Sequence, residues 1–199
     1  YLSAHPLDEY QIILENVCNV KMAELADLTP LQNRDLVMGG IVTGVREGYT
    51  KTGKPYGVAK LEDYSGSAEF IFFGNEWVEK KNFFNVGMFL YMKGKCQPKQ
   101  WKQDEYEVKV NTIELLSDVK EEVIERLTVS VPLSEINDEF IEEFSSLAKA
   151  HPGNVLLDFY VRDEEGQHIS LTSRKWKINV EKDIIAYLKS QSMLSYKIN

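Results

Sequence analysis

"VREGYTKTGKPYGVAKLEDYSG", Val45 to Gly66, is the stretch on which the fold turns. Its centre, "TKTGKP" (50–55), is a turn: Gly53 and Pro55 break any regular element there. The arm after it, "PYGVAKLED" (55–63), has strand composition and stops at a second turn, "DYSG" (63–66). Between Arg46 and Lys60 lie Arg46, Lys51, Lys54 and Lys60 against one acid, Glu47, with Tyr49 and Tyr56 among them. The whole chain has a formal net charge of -8, so this is a local concentration of cations and aromatic rings in an acidic protein.

Working outward, "LVMGGIVTGVREGY" (36–49) is rich in β-branched residues and forms the first strand, with Gly39, Gly40 and Gly44 as places for a bulge or coil. "SAEFIFF" (67–73) is a third strand. "NEWVEKKNFF" reads as a short helix with Asn75 as its N-cap. "GMFLYMKGKCQP" (87–98) and "DEYEVKVNTIELL" (104–116) complete five strands. Three strands, a helix and two strands is the order of the OB-fold, a partly open five-stranded barrel.

That order predicts a site. Residues 46–54 become the loop between strands one and two, and 97–104 the loop between strands four and five. These loops flank the ligand face of an OB-fold. The second lies in another basic segment, "KGKCQPKQWK" (93–102), with four lysines and no acid. By segment, residues 1–35 carry -4, residues 36–116 carry +1 and residues 117–199 carry -5. Cations neutralise phosphates and aromatic rings stack on bases, so the combination suits a single strand. The candidate contacts are Arg46, Tyr49, Lys51, Lys54, Tyr56, Lys60, Lys95, Lys99, Trp101 and Lys102. Solvated lysine loops are the competing reading. Alternation puts Ala59 and Leu61 inward, and Tyr56, Val58 and Lys60 outward toward the groove. "EFIFFG" is apolar at both parities, so either Phe70 and Phe72 or Ile71 and Phe73 must face out or be covered.

Other classes are excluded or disfavoured. No apolar run approaches the roughly 20 residues that span a bilayer, and the N-terminus "YLSAHPLDEY" lacks the features of a signal peptide. It also lacks an initiator Met, as expected of a piece of a longer, cytoplasmic protein. Cys18 and Cys96 are far apart in sequence, which with no secretory signal favours free thiols over a disulfide. His5, His151 and His168 show no metal-ligand spacing, and His5 and His151 precede prolines as turn or capping residues. There is no phosphate loop, no nucleophile elbow and no pair of aspartates one residue apart. No catalytic constellation is present and no cofactor or metal is expected.

The barrel is framed on both sides. Residues 1–35 form a helical lead-in, with a helix from Asp8 to Val17 whose Ile12, Ile13 and Val17 share a face, and a second short helix or extended piece at 22–30. Residues 117–125 are a charged connector. From 126 to 199 the pattern is β-α-β-β-α: strand 126–133, a helix capped by Ser134 and running to Ala150, strands 154–162 and 167–173, and a helix over 180–191. The helix buries Ile136, Phe140, Phe144 and Leu147 and exposes Glu139, Glu142 and Glu143. The fold class is therefore mainly β plus α+β. The acidic second domain would repel DNA, which makes it a protein-docking module, with its helix face and the tail "QSMLSYKIN" as the docking features.

These motifs also resemble a known family, the alpha subunit of bacterial DNA polymerase III. "YLSAHPLDEY" (1–10) resembles the Y-x-S-x-H-P-L-D-x-Y stretch just before that subunit's OB domain. Gly40, Val42, Val45, Thr50, Lys51, Gly53, Leu61 to Asp63, Gly66 and Phe73 match its OB pattern, and "LAKAHPGNVLLDFYVRDEEG" is similar to its C-terminal domain. The resemblance implies a C-terminal piece of a DNA-directed DNA polymerase, a nucleotidyltransferase whose aspartates and magnesium lie in an upstream palm domain. It implies that the OB domain binds single-stranded template DNA in replication. It also implies that the C-terminal domain docks the clamp-loader tau subunit and other replisome subunits. Two alternatives stand beside it: a pure protein-interaction module, and the OB domain of another nucleic-acid enzyme such as an aminoacyl-tRNA synthetase.

Overall fold

The computed structural model describes residues 5–100, 102–120 and 122–199. Five strands form the first sheet: β1 (Asp35–Tyr49), β2 (Pro55–Glu62), β3 (Ser67–Phe73), β4 (Phe89–Lys99) and β5 (Lys102–Leu115). Their order is β3-β2-β1-β4-β5, with antiparallel neighbours throughout. β1 is long because it serves two partners: residues 35–41 pair with β4 and 41–49 with β2.

Parity along β1 changes once. Leu36, Met38 and Val42 face the core. The register then shifts between Val42 and Gly44, where an extra residue enters the strand. Past this bulge Val45 packs on the core and Arg46 faces outward. A second shift between Lys93 and Gly94 lets both Ile113 and Val110 of β5 reach the core. Those side chains meet Ala59, Leu61, Phe70, Phe72, Leu90, Met92 and Cys96 inside the barrel.

One end of the barrel is closed by α1's successor in the chain. α1 itself spans Gln11–Asn16; α2 spans Asn75–Lys80 and continues as a 3₁₀ turn at Lys81–Phe83. Asn75 is the first helical residue rather than the cap. The capping position belongs to Gly74, whose φ of +59° suits glycine and which makes no side-chain cap. Trp77 and Phe84 enter the core beside Phe72, with ring centroids 5.0–6.5 Å apart. A Cβ on Gly57 would overlap the Trp77 indole, so only glycine lets the ring lie against β2. Glu76 accepts from Lys80 at 2.7 Å and Lys109 at 2.8 Å, and Lys80 donates to the Val110 carbonyl at 2.6 Å. These bonds tie α2, which follows β3, to β5. Burial raises the Glu76 pKa and the two lysines lower it, with a net result below the ordinary value.

The N-terminal segment is shorter in its helix than periodicity suggested. A 3₁₀ turn (Pro6–Tyr10) precedes α1, and two more 3₁₀ turns follow at Met22–Ala26 and Thr29–Leu31. The capping box of His5 and Asp8 fixes the tight first turn, and the buried set is Leu7, Tyr10 and Ile13. Asp63 anchors this segment. One carboxylate oxygen accepts from Ser65 N, Ser65 Oγ and Gly66 N (2.6–3.2 Å), and the other from Met22 N at 2.9 Å. Tyr64, next in the same corner, donates to Asp8 at 2.8 Å. Asp63→Ala removes the acceptor of all four hydrogen bonds at once. It should cost about 2 kcal/mol, measurable as a lower urea midpoint with the m-value unchanged.

The chain divides into two compact units, Tyr1–Lys120 and Glu121–Asn199. α3 (Leu116–Val119) belongs to the first, where it packs against β4 and β5 with Leu116 and Val119 buried. The start of the expected connector is thus packed structure. The second unit has the sheet order β8-β7-β6-β9, from β6 (Arg126–Pro132), β7 (Pro152–Arg162), β8 (His168–Ile178) and β9 (Ser195–Ile198). β6 and β7 are parallel, joined by α4 (Asp138–Ala150); α5 (Lys182–Ser190) precedes β9. Three expectations change here. Asn137 caps α4 by accepting from Phe140 N at 2.9 Å, while Ser134 sits in a 3₁₀ turn before it. β8 runs on to Ile178. The tail "SYKI" is a fourth strand, paired antiparallel to β6 with Ile198 buried, so it is part of the fold.

Candidate nucleic-acid interface

Strand pairing gathers part of the candidate set on the outward face of β1, β2 and β3. Three rows cross it: Gly48, Tyr56 and Phe73; Arg46, Val58 and Ile71; Gly44, Lys60 and Glu69. Phe70 and Phe72 fill the core, which sends Ile71 and Phe73 outward. These two apolar side chains are 56% and 57% exposed. Tyr56 is half-buried, its ring 6.2 Å from that of Phe73 and lying against Gly48. The face therefore offers an apolar, aromatic strip of three side chains. Sequence reading made Tyr56 a candidate contact and left open whether Ile71 and Phe73 face out; the signal was the apolar residues at both parities of "EFIFF".

Around the strip stand cations in different states. Lys60 is exposed beside it. Arg46 donates from Nη2 to both carboxylate oxygens of Glu69 at 3.0 Å, so its charge is locally answered. Lys51 and Lys54 are exposed on the β1–β2 turn. That turn is built by Thr50, whose N–H donates to Lys54 O (2.8 Å) and whose Oγ1 accepts from Lys54 N (3.0 Å), with Gly53 at φ +77°. The pairing refines two positions. Val58 lies on the outward face but is only 8% exposed between Arg46 and Ile71, so it is floor rather than contact. Tyr49 has the parity of Val45 and Glu47, opposite to Tyr56, and projects from the hairpin end with 77% exposure.

The second basic segment is a hairpin, not a loop. β4 and β5 stay paired as far as Lys99 and Lys102. Both lysines bind Glu105, each at 2.7 Å. Together they lower the Glu105 carboxyl from 4.5 to about 2, and the pairing raises Lys99. A carboxyl depressed in the folded state stabilises it above pH 4.5, and that contribution is lost as pH falls through about 2. At neutral pH the two cations therefore share one carboxylate, which offsets half of their charge. Lys95 is exposed, opposite Asp35 on one side and Lys109 on the other. Trp101 lies outside the described residues. Along β1 this hairpin extends past Asp35, whereas the Lys51–Lys54 turn follows Tyr49, so pairing sets the two basic tips at opposite ends of that strand.

Comparison with known proteins now bears on this geometry. Residues 36–116 match the family described as an OB-fold nucleic acid binding domain. Residues 127–199 match the C-terminal domain of the DNA polymerase III alpha subunit. Over 95% of its length the chain is 25% identical to the DNA polymerase III subunit alpha of Vibrio cholerae. It is 23% identical to those of Haemophilus influenzae over 94% and Bacillus subtilis over 95%. Along nearly its whole length the chain is thus similar to DNA polymerase III alpha subunits. It spans about 16% of the length of each of these three relatives.

Residues 36–116 make β1 to β5 the strands of the OB-fold domain, and the exposed strip lies on its β2–β3 face, where OB-folds bind oligonucleotides. Cys18 and Cys96 are free thiols. Among the described residues, His151, Glu181 and Asp183 come close enough to suggest a cation site. Both ring nitrogens of His151 already face a carboxylate, Nε2 to Asp183 at 2.5 Å and Nδ1 toward Glu181 at 3.8 Å. The cluster therefore serves as a staple between the end of α4 and the start of α5. Among the described residues, no helix is long and apolar enough to cross a membrane.

Proposed function

We propose that the first unit binds single-stranded template DNA in replication, and that the second docks replisome partners, the clamp-loader tau subunit among them. The polymerase activity of the whole protein, with its magnesium, is assigned to the upstream palm domain. The observation that carries the DNA reading is the exposed strip of Tyr56, Ile71 and Phe73 beside unpaired Lys60, Lys51 and Lys54 on an OB-fold. Bases stack on apolar rings regardless of sequence, and lysines answer phosphates.

The test is fluorescence anisotropy of a labelled oligonucleotide at two salt concentrations. Weak, sequence-neutral affinity should fall with salt at a log–log slope of about -2, from roughly three phosphate contacts on a single strand. The Lys51→Ala/Lys54→Ala pair should flatten the slope by about 1.4. Lys99→Ala/Lys102→Ala should change it less, because Glu105 already offsets half of their charge. Undetectable binding at low salt removes the DNA reading and leaves the strip as a protein-binding surface. For the second unit, capture of tau from the same organism by the whole chain should be lost when residues 121–199 are deleted.

A further inference from the structure

The second unit carries an apolar cleft of about 250 Å³ between α4 and the β7–β8 part of its sheet. Phe140, Ile141 and Phe144 form one wall, Phe159 and Leu171 the other, and Trp176 closes one end. Ile141 and Leu171 are about half exposed, at 51% and 48%. Core packing does not require apolar residues at such positions, and two facing each other across a cleft mark a surface that is covered in use.

Charge around the cleft is polarised. α4 runs back from the C-terminal end of β6 to the N-terminal end of β7, so its first turn lies at the end where β7 meets β8. At that end stand Asp138 and the turn residues Asp163, Glu164 and Glu165, against the single cation Arg162. At the other end Lys149 and Lys175 lie over the Trp176 ring, at 5.9 and 4.8 Å from its centre, with Arg174 and Lys177 adjacent in β8. The acids at this end, Glu181 and Asp183, are turned to His151. A trough with an apolar floor, an acidic end and a basic end has one complementary occupant: an amphipathic segment with opposite charges at its two ends.

We propose that the α4–β8 cleft receives an amphipathic helical segment of a protein partner. Its apolar side chains would seat between Ile141 and Leu171, its basic end would lie at Asp138 and Asp163–Glu165, and its acidic end at Lys149 and Lys175. This rests on the docking reading of the second unit and places the docking at one surface. α4 has 13 residues, about 20 Å of helix, so a partner helix of about 14 residues covers the cleft.

The probes are synthetic helical peptides of that length with leucines along one face. One is basic at one end and acidic at the other; a second is acidic at both ends; a third is basic at both. Binding to the full chain is read by anisotropy. The bipolar peptide should bind, and the like-ended ones about tenfold more weakly. Ile141→Glu and Leu171→Glu, both at half-exposed sites, should weaken the bipolar peptide at least about tenfold with circular dichroism unchanged. Equal binding of all three peptides, or of variants and parent, overturns the proposal. So does no binding of the bipolar peptide. Tau capture separates the two levels. If capture needs residues 121–199 yet survives Ile141→Glu and Leu171→Glu, docking stands and this cleft is not its site. If capture does not need 121–199, the docking reading falls, and the peptide result alone decides whether the cleft is a binding surface.

Discussion

Trp77→Ala is expected to destabilise the barrel unit by about 3–5 kcal/mol. Trp77 is 3% exposed, stacks on Phe72 and Phe84, and fills the space that Gly57 leaves open. Its Nε1–H donates to Glu47 at 3.1 Å. Truncation removes the largest ring of the plug and leaves an apolar cavity against β2. α2 would then lose the wedge that holds Glu76 and Lys80 at β5, so the closure between β3 and β5 should loosen along with the core. The check is urea unfolding followed by far-ultraviolet circular dichroism, with amide exchange of β3 and β5. Trp77→Phe should recover much of the loss, since it restores ring volume without the Glu47 bond. A drop below about 1 kcal/mol for the alanine variant would mean the barrel end is held by something other than this aromatic plug.

The second large effect is on binding. Tyr56→Ala/Phe73→Ala should weaken single-stranded DNA by about 1–3 kcal/mol per ring, with the salt slope unchanged. That separates stacking from charge: the lysine variants flatten the slope, and the ring variants lower affinity at every salt concentration alike. Stability should hardly change through Phe73, because that ring is more than half exposed. Tyr56 is half-buried against Gly48, so it needs a folded-state control by circular dichroism.

The barrel was legible because its cues are local. Turns at 50–55 and 63–66 and the alternation in 55–62 and 104–115 are enough to order the strands. The candidate site was only half legible, because three of its determinants are set by pairing, packing and the fold of a hairpin rather than by residue type. The bulge at Val42–Gly44 decides that Arg46 faces out, and it exists only in the pairing with β2. Which pair of the "EFIFF" run faces out depends on Phe70 and Phe72 filling the core, a matter of packing volume. The apparent charge of Lys99 and Lys102 is answered by Glu105, which the hairpin folds back onto them. In the second unit, β9 escaped notice because four residues carry too little alternation to mark a strand. The start of α4 moved because both Ser134 and Asn137 are competent caps, and the 3₁₀ turn at Leu133–Glu135 selects the second.

The central claim is that the outward face of β1–β3 takes the single strand. The most direct measurement is an amide and aromatic chemical-shift map of the isotope-labelled chain titrated with an oligothymidylate of about ten nucleotides. The claim predicts the largest shifts at Tyr56, Ile71, Phe73, Lys60 and the 50–54 turn, with little change on β6–β9. Shifts concentrated on the second unit, or on the opposite side of the barrel with Ile71 and Phe73 unmoved, would contradict it.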